Sequence, residues 1–113
     1  MPRDHILFLE DIISSSKKII KYVGDYSLEQ FLEDEKTVDA VIRNFEIIGI
    51  AAKSIPQDVK DRYTEVEWRK IYLFRNVLAH EYFGVDNKVL WEIIKEKIPE
   101  LASQFEAILK KES

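Results

Sequence analysis

Cysteine is absent from all 113 residues, which excludes disulfide frameworks, zinc–thiolate sites and a cysteine nucleophile. Histidine occurs only twice, at His5 and His80, too few for a histidine-rich metal site within one chain. Glycine and proline number three each, so the chain has few of the residues that break helices or build tight turns. No apolar run approaches the roughly 18 residues of a membrane-spanning helix. No valine- or threonine-rich alternating run reads as a strand, and there is no internal repeat or low-complexity segment. The opening Met1-Pro2-Arg3-Asp4-His5 lacks the basic-then-apolar pattern and small-residue cleavage site of a secretory signal, so the expected compartment is the cytoplasm.

What remains is a globular composition. Hydrophobic residues make up 46% and charged residues 34%, a balance that folds rather than stays disordered. A chain of 113 residues is one domain, spanning 1–113, because two domains each need about 50 residues or more. The 17 basic residues are outnumbered by 21 acidic ones, for a net charge of −4. That argues against indiscriminate nucleic-acid binding, which depends on neutralising phosphates, but leaves room for a local basic cleft.

The hydrophobic spacing predicts helices throughout. Ile6, Leu9, Ile13, Ile20 and Val23 mark a first helix from about Asp4 to Val23, with Asp4 as N-cap and Gly24 just past its end. Ser27-Leu28-Glu29-Gln30 is a capping-box pattern that restarts a helix at Leu28. A longer helix runs from about Asp34 to Ser54, with Val38, Val41, Ile42, Phe45, Ile48 and Ala52 as its apolar stripe. Its small residues Gly49, Ala51 and Ala52 permit close approach of a neighbour. Pro56 ends it, and 57–62 makes one turn. The next long helix is expected over about Glu65 to Tyr82, ending at Gly84. Asp86 caps another, and Pro99 opens a last helix. Short connections between long amphipathic helices imply an antiparallel up-down bundle.

One segment carries chemistry: Arg75-Asn76-Val77-Leu78-Ala79-His80-Glu81-Tyr82. At about 100° per residue, Asn76, His80 and Phe83 share one face, and Arg75, Leu78 and Tyr82 the adjoining one. A guanidinium, an amide, an imidazole and a phenol thus gather near one helix end. This set suits metal-free RNA cleavage. Histidine titrates near neutrality and moves protons between the 2′-hydroxyl and the leaving 5′-oxygen. Arginine offers a permanently charged fork to the phosphate, and Asn76 can orient either group. One chain supplies one such histidine, so a symmetric dimer that pairs two copies of His80 is a mechanistic expectation. Each residue also has an ordinary structural alternative. Arg75 can pair with Glu81 or another surface acid, His80 suits a helix C-terminus, and Tyr82 can be a core aromatic.

Context extends this pattern. Trp68-Arg69-Lys70-Ile71, the run Arg75 to Asp86, and Trp91-Glu92 resemble the HepT-like family of HEPN-domain proteins. So does the upstream Asp39-Ala40-Val41-Ile42-Arg43-Asn44-Phe45-Glu46-Ile47-Ile48-Gly49 with Ala51-Ala52-Lys53. The similarity covers Ile6 to Leu109. It implies an all-α HEPN-type antiparallel four-helix bundle with a short additional helix, homodimeric. It further implies the toxin of a toxin–antitoxin pair, acting as a metal-independent endoribonuclease on RNA. The family's R-x4-H-x-Y motif falls on Arg75, His80 and Tyr82. Arg75 and His80 would be catalytic, with Asn76 supporting. Tyr82 would be adenylylated by a cognate minimal nucleotidyltransferase antitoxin. That partner would use ATP and Mg²⁺; cleavage itself would need no cofactor. The alternative is a non-catalytic HEPN module that assists substrate or nucleotide binding by a partner nucleotidyltransferase. The family often carries a glutamate after Ile48-Gly49, and here Ile50 stands in its place.

Other residues are open to two interpretations. Arg43, Asn44 and Glu46 interrupt an apolar helix and suit either a cleft wall or dimer seam, or a plain surface pair of Arg43 with Glu46. Lys17, Lys18 and Lys21 suit phosphate or a solvated face. Trp68 and Trp91 read as core or interface rather than base-stacking platforms. His5 has no expected role, and Glu33-Asp34-Glu35 is favourable charge near a helix start.

Overall fold

The structure, a computed structural model, describes residues 4–75 and 86–113. Among them every regular element is helical, as the composition predicts. The order is α1 (His5–Val23), α2 (Leu28–Glu33), α3 (Glu35–Ser54), α4 (Gln57–Arg62) and α5 (Trp68–Tyr72). Then follow α6 (Asn87–Glu92), a π-helical turn (Ile93–Lys97) and α7 (Ile98–Glu112). The helix α1 is central. It packs along α3 on one side and α7 on the other, while α5 lies against α3.

The boundaries follow from local chemistry. Asp4 Oδ1 accepts the Ile6 N–H at 2.9 Å, which satisfies one of the free donors at the start of α1. Gly24 ends that helix at φ 50°, a conformation open to glycine at little steric cost. Ser27 and Gln30 close their capping box reciprocally, at 2.9 and 3.2 Å. Asp34 starts α3 by accepting from the Thr37 N–H at 3.2 Å and the Thr37 hydroxyl at 2.7 Å. It also accepts from the Tyr26 hydroxyl at 2.7 Å, which ties the α1–α2 connection to the head of α3. These donors hold the Asp34 carboxyl below the usual carboxylate range, Thr37 contributing most, and the bond from Tyr26 to Asp34 raises the Tyr26 phenol.

The core is one cluster. Leu9, Ile12 and Ile19 of α1 meet Val41, Phe45 and Ile48 of α3, and Ile98, Phe105 and Ile108 of α7. Fully burying each such side chain contributes roughly 1.5–3 kcal/mol before conformational entropy is charged against it.

One boundary differs from expectation. The third long helix does not begin at Glu65. Tyr63 and Val66 are both buried, and the chain turns inward to place them, with Val66 N–H on the Tyr63 carbonyl at 3.2 Å. Trp68 Nε1 locks this turn by donating to the same carbonyl at 3.1 Å, so α5 begins only at Trp68. A turn at Leu73 interrupts the helical backbone before Phe74 and Arg75. The remainder of that expected helix, 76–82, and its end at Gly84 lie outside the described residues.

Pro99 falls where expected, in the first turn of the last helix, α7. That helix is continuous with α6 through the π-helical turn. Proline lacks an N–H and its ring crowds the carbonyl four residues back. Wider bonding, with the Ile98 N–H on the Ile93 carbonyl, absorbs this without breaking the axis. It also keeps Leu90, Ile94 and Ile98 all buried. At 3.6 residues per turn, successive steps of four drift by about 40°.

A polar clasp joins three elements at one end of the molecule. Glu112 Oε1 takes Arg62 Nη2 at 2.5 Å and His5 Nε2 at 3.0 Å, while its Oε2 accepts the Tyr63 hydroxyl at 2.6 Å. His5 thus has a structural partner that the sequence did not suggest. The Arg62 bond first, then the Tyr63 bond, depress the Glu112 carboxyl to about 2. The folded form therefore gains stability from ionised Glu112 above the ordinary carboxylate range, and loses it as pH falls from about 4.5 towards 2. Glu112→Gln is expected to lower stability by about 1–2 kcal/mol at neutral pH. The gap to wild type should close in acid, as read by urea unfolding across that pH range. An unchanged gap at low pH would show that charge is not what Glu112 contributes.

Candidate active site

Of the motif residues, Arg75 is described, and Asn76, His80 and Tyr82 lie outside the described residues. Arg75 follows α5 in the chain and lies against α3.

The approach begins at α5, which is anchored on three sides. Trp68 sets its ring edge-on to Phe105 of α7, at 5.5 Å between centroids and 78° between planes. Lys60 of α4 is buried, and its Nζ stands 4.7 Å from the Tyr72 ring centroid and 6.0 Å from that of Trp68. An ammonium over aromatic faces is attracted by their quadrupoles, and this one also donates to the Lys53 carbonyl at 3.4 Å. Two further contacts reach α3. Phe74 meets Phe45 in a T-shaped pair at 5.2 Å and 89°. Arg75 crosses α3 at Gly49, so closely that a β-carbon there would come within 2.9 Å of Arg75 Cγ. The side chain of Arg75 is nonetheless exposed. A guanidinium held at its root and exposed at its head can meet an anion arriving from solvent.

The residues of the second group fall in different places. Arg43 and Glu46 make the expected i,i+3 pair, at 3.5 Å on the exposed side of α3. Exposed pairs of this kind contribute little to stability. Asn44 is buried and its Nδ2 donates to the Ala40 carbonyl of the same helix at 2.8 Å. The three therefore do not form one polar strip. Ile50, where the resembling family often has an acid, is 44% exposed beside Gly49.

Elsewhere, Lys17 pairs with Glu106 at 3.0 Å. Trp91 packs against Phe31 at 5.4 Å between centroids, as a core residue does. Asp34 serves as the α3 cap, consistent with the acidic run marking a helix start. A cavity of about 290 Å³ between α5, the π-helical turn and α7 is walled by Ile71, Leu73, Phe74, Ile93 and Leu101. Its rim lysine Lys70 is held by Glu67 at 2.7 Å, which lowers the Glu67 carboxyl. Glu65, Lys97, Glu100 and Gln104 complete the lining. Among the described residues no group of His, Asp and Glu is arranged to hold a metal ion. No helix among them is long and apolar enough to cross a membrane.

Sequence reasoning named Arg75 and the small residues of α3 but did not join them. The signal was a glycine inside a helix that has no conformational need of one.

Comparison with known proteins bears on the whole chain. Residues 12–108 match the family model described as ribonuclease HepT-like. A protein of Thermococcus cleftensis named "Probable ribonuclease HepT" is 46% identical over 97% of this chain and 100% of its own length. A Methanocaldococcus jannaschii protein named "Putative RNase" is 38% identical, over 97% of this chain and 92% of its own. One of the same description from Caldanaerobacter subterraneus is 39% identical, over 93% and 94%. No solved structure matches the chain.

Proposed function

Because the chain belongs to the ribonuclease HepT-like family, we propose that it is a metal-independent endoribonuclease and the toxin of a toxin–antitoxin pair. One observation carries this proposal. Arg75 is exposed, its root lies against Gly49 of α3, and it stands five residues before the His80 of an R-x4-H-x-Y run.

In this mechanism His80 moves the protons. The RNA 2′-oxygen loses its proton and attacks the adjacent phosphorus. The bond to the 5′-oxygen breaks, that oxygen is protonated, and a 2′,3′-cyclic phosphate remains. Arg75 faces the charge that builds on the phosphate oxygens, where a fixed cation is worth most. Asn76 orients the pair. A homodimer supplies the second His80 so that acid and base are separate groups. Regulation acts through Tyr82. Its phenol oxygen attacks the α-phosphorus of ATP held with Mg²⁺ by a nucleotidyltransferase partner, pyrophosphate leaves, and an AMP phosphodiester remains on the tyrosine. The added anion beside Arg75 competes with RNA phosphate.

The test is RNA cleavage by purified, mass-verified unmodified protein in EDTA. Wild type is expected to leave 2′,3′-cyclic phosphate ends. His80→Ala should abolish cleavage, and Tyr82→Phe should retain it, since the tyrosine acts only as acceptor. Equal activity of wild type and His80→Ala would assign the cleavage to a contaminant. No cleavage of several RNA classes by wild type would favour a binding module that serves a partner nucleotidyltransferase.

A further inference from the structure

Gly49 is buried in the middle of the 20-residue α3. Its backbone is not left-handed, since Gly24 is the glycine that adopts positive φ among the described residues. Conformation therefore does not call for glycine here. A helix-interior glycine is less stable than alanine. On the same helix Ala51 and Ala52 are buried and carry their methyl groups.

What position 49 lacks is room. A β-carbon on Gly49 would lie 2.9 Å from Arg75 Cγ, against an ordinary carbon–carbon contact of about 3.5–4.0 Å. Arg75 Cδ at 3.6 Å and the Arg75 backbone nitrogen at 3.5 Å would be in normal contact. The conflict is thus with the root of one side chain, not with the backbone. Cγ is the second carbon of that side chain. Displacing it requires rotation about χ1 or a backbone shift, and every atom beyond it, the guanidinium included, moves further. One turn earlier on α3, Phe45 holds the Phe74 ring. Two consecutive residues, Phe74 and Arg75, are thereby seated on one strip of α3.

We propose that Gly49 is a positioning residue for Arg75. Its bare Cα forms the seat that fixes the arginine stem while the charged head stays in solvent. An exposed arginine ordinarily samples many rotamers and loses that freedom on meeting a ligand. A stem already fixed by the fold removes part of that loss and holds the cation where charge develops. The inference rests on the ribonuclease proposal for its catalytic meaning, but not for its geometry.

Gly49→Ala is expected to cut cleavage by about 10–100-fold. The Arg75 Nε–Hε resonance, assigned by its loss in Arg75→Ala, should shift while those of Arg43, Arg62 and Arg69 stay in place. Removing the stem removes the conflict. Gly49→Ala should therefore have no further effect on cleavage in an Arg75→Ala background, and the double variant should be at least as heat-stable as Arg75→Ala. That comparison holds even if Gly49→Ala alone folds poorly, because Arg75→Ala should then rescue it.

Full cleavage by Gly49→Ala with an unmoved resonance would overturn the inference while leaving the ribonuclease proposal intact. Equal destabilisation with and without the Arg75 stem would overturn it too, by showing that the glycine serves another contact. A shifted resonance in a protein whose wild type cleaves no RNA would sustain the seat and sink the ribonuclease proposal instead.

Discussion

Arg75→Ala is expected to reduce RNA cleavage by about 10²–10³-fold, the usual loss when one fixed donor to a developing oxyanion is removed. The effect should be catalytic rather than structural. The side chain is exposed, and surface substitutions away from caps and networks usually shift stability by about 0.5 kcal/mol or less. Thermal unfolding of the variant should therefore match that of wild type within a few degrees. Arg75→Lys separates charge from shape. Lysine keeps the positive charge but lacks the planar fork that meets two phosphate oxygens at once, so an intermediate loss of about tenfold is expected. The measurement is kcat/KM on one defined RNA, with binding of a 2′-deoxy-substituted version followed in parallel. A defect in binding alone would make Arg75 a docking cation. Wild-type kcat/KM in Arg75→Ala would remove it from the mechanism altogether.

Much of this architecture was legible beforehand because it is written in local chemistry. The cap at Asp4, the stop at Gly24, the capping box at Ser27 and Gln30 and the restart at Asp34 each depend on one or two side chains meeting backbone groups within a single turn. Such events survive without knowledge of the rest of the fold. What was not legible has the opposite character. The late start of α5 depends on Tyr63 and Val66 reaching the core together, and on Trp68 closing onto the Tyr63 carbonyl. The continuity of α6 and α7 depends on Leu90, Ile94 and Ile98 facing one core. Both are tertiary demands that override local signals.

The candidate site divides in the same way. The run Arg75, Asn76, His80 and Tyr82 stands out by residue type, but only the resemblance gives it the form of a motif. The seat under Arg75 cannot be read in the sequence, because it joins positions 49 and 75 across two helices. The Glu112 clasp joins His5, Arg62 and Tyr63 across three segments and left no sequence pattern. Asn44 left two interpretations open in the sequence, and the structure adds that its amide is turned back onto its own helix at Ala40.

The largest stability loss near the site is expected from Phe45→Ala. Phe45 is 2% exposed and belongs to the main core cluster. Replacing a buried phenylalanine with alanine typically costs about 3–5 kcal/mol, through lost transfer energy and the cavity left behind. In a domain whose whole stability is of order 5–15 kcal/mol, that is a large share. At roughly 4–8 °C per kcal/mol for a domain near this size, the midpoint should fall by about 12 °C or more. Phe45→Leu tests what the ring does beyond filling space. Leucine keeps most of the apolar volume but loses the edge-to-face contact with Phe74, a term of about 0.5–1.5 kcal/mol. Since Phe74 immediately precedes Arg75, loosening that ring also loosens the backbone that delivers the guanidinium. Phe45→Leu should therefore remain folded, unfold slightly earlier, and lose more cleavage than its lost stability explains at assay temperature. A loss of cleavage no greater than the fraction unfolded would make Phe45 core filling alone.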